Sequence, residues 1–559
     1  MMLLLRRCSP PVPLRRRAVY VPLALLLTLA VFTFWDPARG PCCSGLPGLP
    51  AWLPSPALSA AVPKDALSIP ELDEPSIFPP PQHDGFCTKR FTTAYLEDLR
   101  DHSIQYCDPV GSTLPRSRLT CFHAHVRDDK GVDSFCLGAG ATWDAGQKTF
   151  RLDCPVRRRP DANETARGLI PFESIAASWF DTGPRRVFDK FVSLSNDEAS
   201  QGQLVLGTST PREKNSFVLL VKREGNNNLW HSLMEIWSMM MSVDVLRIAR
   251  QQDDGNGRAG GAAAAAPYFR FPDDLDNTHV VMLDEYAEES TFDLWRFFSR
   301  HPIVKLADMI RDPSRVPRPL QPASGGANII VPLSGGSNPL WQNDWVVRDC
   351  RAAPLLQLFV RRVFEHYQVP RQAGPRPASA GDEKDIVVTF IDRRGSRQLL
   401  GHAALFQTLR ERYPNVVVQS VDFATLSLPD QLRLVQETDV LVGVHGAGLT
   451  HTMFMRENAG AVVEIQPANL GHKGFRNLAA LTGHNYFSAQ AEMVVPAEDE
   501  EKGDKKENGE TKTSVARRGD PEKPWQSSHV RIEEDRFLAL MDVAIKSLYN
   551  EGLRNHHVI

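Results

Sequence analysis

The segment Val442-Gly-Val-His-Gly-Ala-Gly-Leu-Thr-His451 sets a histidine between an apolar run and two glycines. An apolar strand entering His-Gly-Ala-Gly and leaving into a helical pattern is a strand–loop–helix unit. In open α/β sheets ligands sit beyond the carboxyl ends of the strands. Gly446 and Gly448 allow backbone amides to approach a ligand with no Cβ in the way. The start of the next helix offers unpaired N–H groups and the positive end of a dipole, which suits a diphosphate. His445 can donate to a phosphate oxygen or protonate a departing diphosphate. Gly446, Ala447, Gly448 and Thr450 are the candidate binding residues of this loop. The same residues also suit a tight strand-to-helix turn with no ligand.

A second group is Asp392-Arg-Arg-Gly-Ser-Arg397, directly after an apolar run ending at Ile391. Guanidinium forks match phosphate oxygens in a bidentate way. If both runs are parallel strands of one sheet, Arg393, Arg394 and Arg397 share the crevice edge of His445. A third group lies in Asn226-Asn-Asn-Leu-Trp-His-Ser-Leu-Met-Glu235, where the polar run caps a helix. His231 and Glu235 stand four residues apart on one helical face. An imidazole and a carboxylate there can orient or deprotonate an acceptor hydroxyl. Trp230 and Trp237 read as core residues, and Asp273-Asp274 as a solvated acidic pair rather than a metal site.

The elements that must hold these groups alternate along the chain. Phe217–Val221, His279–Leu283 and Ile329–Val331 read as strands; Asn228–Arg250 and Leu355–Tyr367 read as helices. From Asp385 the order is clearer. Strands are expected at 386–391, 416–421, 440–444 and 462–465. Helices are expected at 402–413, 427–437, from 449 and at 474–482, with Ser427 as a cap and Pro429 just inside. Short continuous apolar strands alternating with helices predict a parallel sheet buried on both faces. The expected fold is α/β, with two Rossmann-like halves and a cleft between them.

The chain has 559 residues, 42% of them apolar and 23% charged, and a net charge of -3. It is long enough for several domains, and no basic excess points to nucleic acid. Ala18–Trp35 carries no charge and follows Arg15, Arg16 and Arg17. A helix there reaches roughly 27 Å, close to a bilayer core. The expected plan is therefore a cytosolic tail (1–17), a transmembrane anchor (18–35) and a Pro-rich stem (36–82). A lead-in and first half (83–380) and a second half (381–559) follow, with an insertion at 498–524 and a C-terminal helix. Residues 253–266 read as a further low-complexity insertion, and 84–210 as irregular chain tied by cysteines. The positive-inside rule places the body in the lumen of the secretory pathway, Golgi or endoplasmic reticulum. Nine cysteines with no C-x-x-C pair suit disulfides there, although their connectivity is open. Asn163-Glu-Thr165 is a sequon on that side of the membrane.

Asp430-Gln-Leu-Arg433, Thr438-Asp439 and the loop 442–451 together resemble the signature of glycosyltransferase family 61. Arg393–Arg397 resembles the preceding motif of that family, and Trp230-His231 with Glu235 its helix of a histidine and an acid. The resemblance implies a GT-B-like fold and inverting transfer from a UDP-sugar to a hydroxyl. It points to UDP-GlcNAc as donor and a protein Ser or Thr, such as one on an EGF-like domain, as acceptor. It assigns Arg393, Arg397 and His445 to the diphosphate, and His231 and Glu235 to the acceptor side. No cofactor is assigned, and a divalent metal is left open. Transfer of xylose or another sugar to a glycan, and an inactive lumenal binding protein, stay open as alternatives. Gly401 stands where the family usually has asparagine, and Glu235 where it usually has aspartate.

Overall fold

The computed structural model describes residues 85–107, 117–125, 131–157, 159–194, 216–225, 228–250, 266–270, 273–321, 324–351, 353–376, 385–494 and 524–549. The expected anchor and stem, nearly all of the 253–266 insertion and all but Pro524 of the 498–524 insertion lie outside these. Among the described residues no helix is long and apolar enough to cross a membrane.

The second half forms around β10 (Ile386–Ile391), β11 (Val416–Val421), β12 (Val440–Val444), β13 (Ala461–Pro467), β14 (Asn485–Val494) and β15 (His529–Arg531). Their order is β11-β10-β12-β13-β14-β15, parallel up to β14 and antiparallel at β15. The chain leaves β10 to one side and returns to place β12 on the other. The carboxyl ends of β10 and β12 therefore flank a topological switch point, where open sheets bind ligands. Strands β12 and β13 are buried along their whole length, as expected for a sheet covered on both faces.

The first half is a nine-stranded mixed sheet, not the wholly parallel one the alternation predicts. Its strands are β1 (Ser103–Gln105), β2 (Arg118–Ala124), β3 (Asp133–Asp144), β4 (Thr149–Leu152), β5 (Val192–Leu194), β6 (Phe217–Val221), β7 (Thr278–Met282), β8 (Val304–Lys305) and β9 (Ala327–Val331). The parallel part is β9-β6-β7-β8. The lead-in is not irregular: β1, β2 and β3 pair antiparallel and join β9. Its disulfides staple strands, and Cys121 faces Cys136 across β2 and β3. Cys107 joins Cys154, and Cys87 joins Cys350.

The helices that matter for the site are α1 (Gly85–Phe91), α2 (Thr93–Asp101), α3 (Pro184–Phe191), α4 (Leu229–Ile248), α5 (Pro354–Tyr367), α6 (His402–Arg412), α7 (Leu428–Gln436), α8 (Gly474–Leu481) and α9 (Glu534–Ser547). Helix α4 is capped by Asn228, whose side chain accepts from the Trp230 amide at 3.1 Å. It is apolar nearly all round (Leu233, Met234, Ile236, Trp237, Met239, Met240, Met241), which demands burial on every side. One apolar core runs from β6 and β7 through α4 to Leu441, Phe454 and Val462 of the second half. Arg362 of α5 pairs with Asp244 of α4 at 2.7 Å, and both are buried. Helix α6 starts at Gly401, whose φ is 75°. Glycine and asparagine are the residues that adopt this left-handed conformation most readily, so the departure from the family pattern is neutral for the backbone.

Candidate functional site

Strand β10 delivers the arginine loop and β12 the histidine loop to one edge of the second sheet. Arg397 Nη1 donates to the His445 carbonyl at 3.2 Å. A Cβ placed on Gly446 would lie 2.8 Å from Arg397 Nη1 and 3.0 Å from Arg393 Nη1. Two guanidinium groups thus converge on a position that only glycine leaves open, and the Gly446 φ of 155° points the same way. Among the described residues neither Arg393 nor Arg397 forms an ion pair with a carboxylate, and Arg397 Nε is buried with no hydrogen-bond partner. Burial, with Arg393 beside it, pushes the Arg397 guanidinium down to about 9. Burial lowers Arg393 as well, against the pull of Asp422. Two buried guanidiniums held together with no carboxylate in ion-pair contact among the described residues form a candidate anion site. Arg394 is not part of it: its side chain is exposed and pairs with Asp392 at 2.9 Å.

His445 sits at the floor of this site. Its Nδ1 lies 2.5 Å from Glu464 Oε1 on β13, and the Tyr486 hydroxyl of β14 donates to the other Glu464 oxygen. Burial pushes Glu464 up, but the His445 and Tyr486 hydrogen bonds hold its carboxyl below the usual range. Burial lowers His445 despite Glu464. The ligand-free imidazole is therefore neutral, with its proton on Nδ1 and the Nε2 lone pair free. Rings of His472, Phe475 and Trp525 surround it at centroid distances of 4.7, 5.4 and 5.3 Å.

The turn after His445 is a 3₁₀ helix, Ala447–Phe454, rather than the expected α-helix. A strut fixes it. His451 Nδ1 meets the Gly448 carbonyl at 2.7 Å, and Nε2 meets Gln431 Oε1 at 2.7 Å. Gln431 donates in turn to the Phe423 and Leu426 carbonyls. The Asp430–Arg433 stretch therefore positions the loop from α7 rather than touching its opening. Thr450 is fully buried, and its Oγ1 has no partner among the described residues.

His231 and Glu235 stand at the first sheet, where β6 and β9 end. His231 Nδ1 is 3.0 Å from Glu224 Oε2. The Glu224 amide donates to Glu235 Oε1 at 2.5 Å. Burial, reinforced by Glu224, pushes the Glu235 carboxyl well above the usual range. The His231 ring lies against Trp341 and Phe180 at 4.3 and 4.9 Å. Phe180 and Asp181 both have positive φ, a strained pair held by ion pairs from Asp181 to Lys190 and Arg186.

The peptide Trp341–Trp345 joins the two groups. Trp341 contacts His231. Three residues on, Asp344 meets His472 Nε2 at 3.2 Å, and His472 touches His445. Trp230 of α4 packs on Phe475, which also lies against His445. A short series of contacts thus links the predicted donor and acceptor residues.

Sequence reading missed Glu224, Glu464, His472, Tyr486, Trp341 and Trp525. Glu464 had a legible signal, an acid inside the apolar strand Ala461-Val-Val-Glu-Ile465. Asp274, read as solvated, is buried and accepts from the Arg270 amide at 2.7 Å. Among the described residues, Asp98, His102 and His125 are grouped closely enough to hold a metal ion. They lie on α2 and just past β2, not at the crevice.

The glycosyltransferase 61 family model matches residues 287–462, from the loop after β7 into β13. That stretch is similar to a glycosyltransferase 61 domain. Arg393, Arg397 and the His445 loop fall inside it, whereas His231, Glu224 and Glu235 precede it. The EGF domain-specific O-linked N-acetylglucosamine transferase of Drosophila melanogaster is 28% identical over 229 residues, 40% of each chain. The Bos taurus protein of that name is 31% identical over 164 residues, 29% of each chain. That of Pan troglodytes is 30% identical over 163 residues, again 29% of each. The chain spans two fifths or less of the length of these curated relatives. The stretch similar to family 61 thus contains the paired arginines and the glycine they converge on.

Proposed function

We propose that this chain is an inverting glycosyltransferase that moves a sugar, GlcNAc from UDP-GlcNAc in the first instance, to a protein Ser or Thr hydroxyl. The observation that carries the reading is the pair Arg393–Arg397, two buried guanidiniums converging on Gly446. A UDP diphosphate supplies the counter-charge they lack. His445 takes a proton as the anion arrives and donates from Nε2, so leaving-group charge meets preformed donors. His231 and Glu235 stand on the acceptor side. Two sheets joined by one apolar core support a GT-B-like arrangement. Exposed Trp179, Phe180, Trp345, Val346 and Val347 line the neighbouring surface, which favours a macromolecular acceptor over a small one. The relatives' printed name makes an EGF-like domain the first protein to offer.

The same reading places the chain in the secretory pathway, Golgi or endoplasmic reticulum, held by 18–35. Three disulfides among the described residues support an oxidising compartment.

The test is calorimetric binding of UDP to the purified chain, then a screen of UDP-sugars for UDP release and mass mapping of an offered EGF-like domain. A chain that does not bind UDP sinks the reading. UDP binding without turnover of any donor leaves a binding protein. Preference for UDP-xylose moves the assignment to the xylosyl alternative.

A further inference from the structure

Two buried carboxyls, Glu224 and Glu235, flank one point behind His231. A Cβ on Gly335 would lie 2.9 Å from Glu224 Oε1 and 2.9 Å from Glu235 Cγ. Both carboxyls are buried, and neither Glu224 Oε1 nor Glu235 Oε2 has a hydrogen-bond partner among the described residues. The cation beside them is committed elsewhere: Arg223 forms a bidentate pair with Asp284. Two anions this close in a dry site do not both persist, so one carries a proton.

The contacts decide which one. Burial pushes the Glu224 carboxyl up, but its Oε2 faces the His231 Nδ1–H, and the Gly336 amide and Lys222 also favour its charge. Glu235 receives only the Glu224 amide, with Arg223 pulling one way and Asp284 the other. Asp284 and Glu224 are both like charges for it. The proton therefore belongs on Glu235, at Oε2, because Oε1 already accepts. With Nδ1–H directed at Glu224, the imidazole keeps its lone pair on Nε2. Nε2 has no partner among the described residues, and the side chain is 20% exposed. Trp341 and Phe180 fix the ring plane.

We propose that Glu224 is the positioning carboxylate of His231, that His231 Nε2 is the base that deprotonates the acceptor hydroxyl, and that Glu235 is a neutral acid holding Glu224 in place. This rests on the transfer reading above. In the step, the hydroxyl proton passes to Nε2 as the acceptor oxygen bonds the anomeric carbon. The bond from that carbon to the diphosphate oxygen breaks, and its electron pair leaves with UDP. The imidazolium is balanced by Glu224 until its proton passes to solvent. The arrangement parallels a histidine held in one tautomer by a buried acid.

The experiment follows His231 by carbon-13 histidine NMR in the full chain, as wild type, Glu224→Gln and Glu235→Gln, beside UDP-GlcNAc turnover against pH. In Glu224→Gln the His231 ring-carbon shifts are expected to move from those of the Nδ1–H tautomer toward a mixture of tautomers. Its kcat should fall by roughly 10²-fold, and UDP affinity should be unchanged. Glu224→Asp should recover part of kcat. Glu235→Gln, isosteric with a neutral acid, should leave the His231 ring-carbon shifts in place. Unmoved ring-carbon shifts in Glu224→Gln, or a change only in Glu235→Gln, overturn the pairing. The expected shift in a chain that binds UDP but turns over no donor keeps the pair and overturns its catalytic use, together with the transfer reading.

Discussion

Arg397 reaches across the crevice edge and donates to the carbonyl of His445, the residue at the end of the neighbouring strand. The contact ties the loop after β10 to the loop after β12. It also holds a second guanidinium, that of Arg393, over Gly446.

Arg397 is held at a cost until an anion arrives. Its folded pKa of about 9 lies below the ordinary 12.5. The folded state therefore disfavours the charge below about pH 9, and that penalty lifts as pH rises from there toward 12.5. Arg397→Met should leave the ligand-free melting temperature unchanged or raise it, and weaken UDP binding by about 10- to 100-fold. UDP at 100 times its Kd should stabilise the wild type by about 2.7 kcal/mol and the variant by far less. Calorimetry and thermal melts with and without UDP check both parts.

Gly446→Ala puts a methyl group where both guanidiniums meet. The clashing atoms are ends of flexible side chains, so the chain should still fold. UDP affinity is expected to drop by about tenfold or more, while denaturant unfolding changes by about 1–2 kcal/mol. An unchanged UDP affinity would place the diphosphate elsewhere.

His445 has its folded pKa below the ordinary 6.5 because it is buried. The imidazole is neutral in the fold, so the unfolded chain gains its proton first. The ligand-free chain should therefore lose stability as pH falls below about 6.5. Glu464, held low, adds a loss below about pH 4.5. UDP binding near neutral pH should take up a proton. Titrations in buffers of different ionisation enthalpy measure this, and His445→Ala should abolish it.

Asp284 holds the strand end that carries Glu224. It accepts from the Arg223 amide and from Nε and Nη2 of the Arg223 guanidinium. Asp284→Asn leaves a buried arginine without its counter-charge, at about 3–5 kcal/mol. Urea unfolding should show this loss, and residual kcat should fall more than UDP affinity.

Cys87–Cys350 spans 263 residues of sequence and ties α1 to the segment before α5. Replacing both cysteines by serine should cost about 2–5 kcal/mol, read from denaturant midpoints under non-reducing conditions.

The second sheet was legible because β10, β12 and β13 are rich in Val, Ile and Leu and almost wholly buried, as in a sheet covered on both faces. The strands at 386–391, 416–421 and 440–444 begin and end where the pattern puts them. The lead-in was not legible. Its strands β2 and β3 carry His123, Cys121, Cys136, Gly138 and Gly140, so neither a period of two nor an apolar run stands out. Antiparallel pairing to β9 comes from contacts distant in sequence. The arginine and histidine loops were visible as motifs, since both follow apolar strands. Glu224 was not, because outside an apolar run a buried acid announces itself only through its partner, whereas Glu464 stood out as an acid inside an apolar strand. Asp274 misled for the same reason: beside Asp273 it looked solvated, yet its partner is the Arg270 backbone.

The peptide from Trp341 to Trp345 is a short beam with a bearing at each end. Trp341 presses on His231, and Asp344 grips His472 beside His445. So short a span has little slack to absorb a displacement at one end. On the proposed reading, a nucleotide seated against His445 sets the angle of the wall against which an incoming hydroxyl docks, and the order in which the two substrates arrive becomes a property of five consecutive residues.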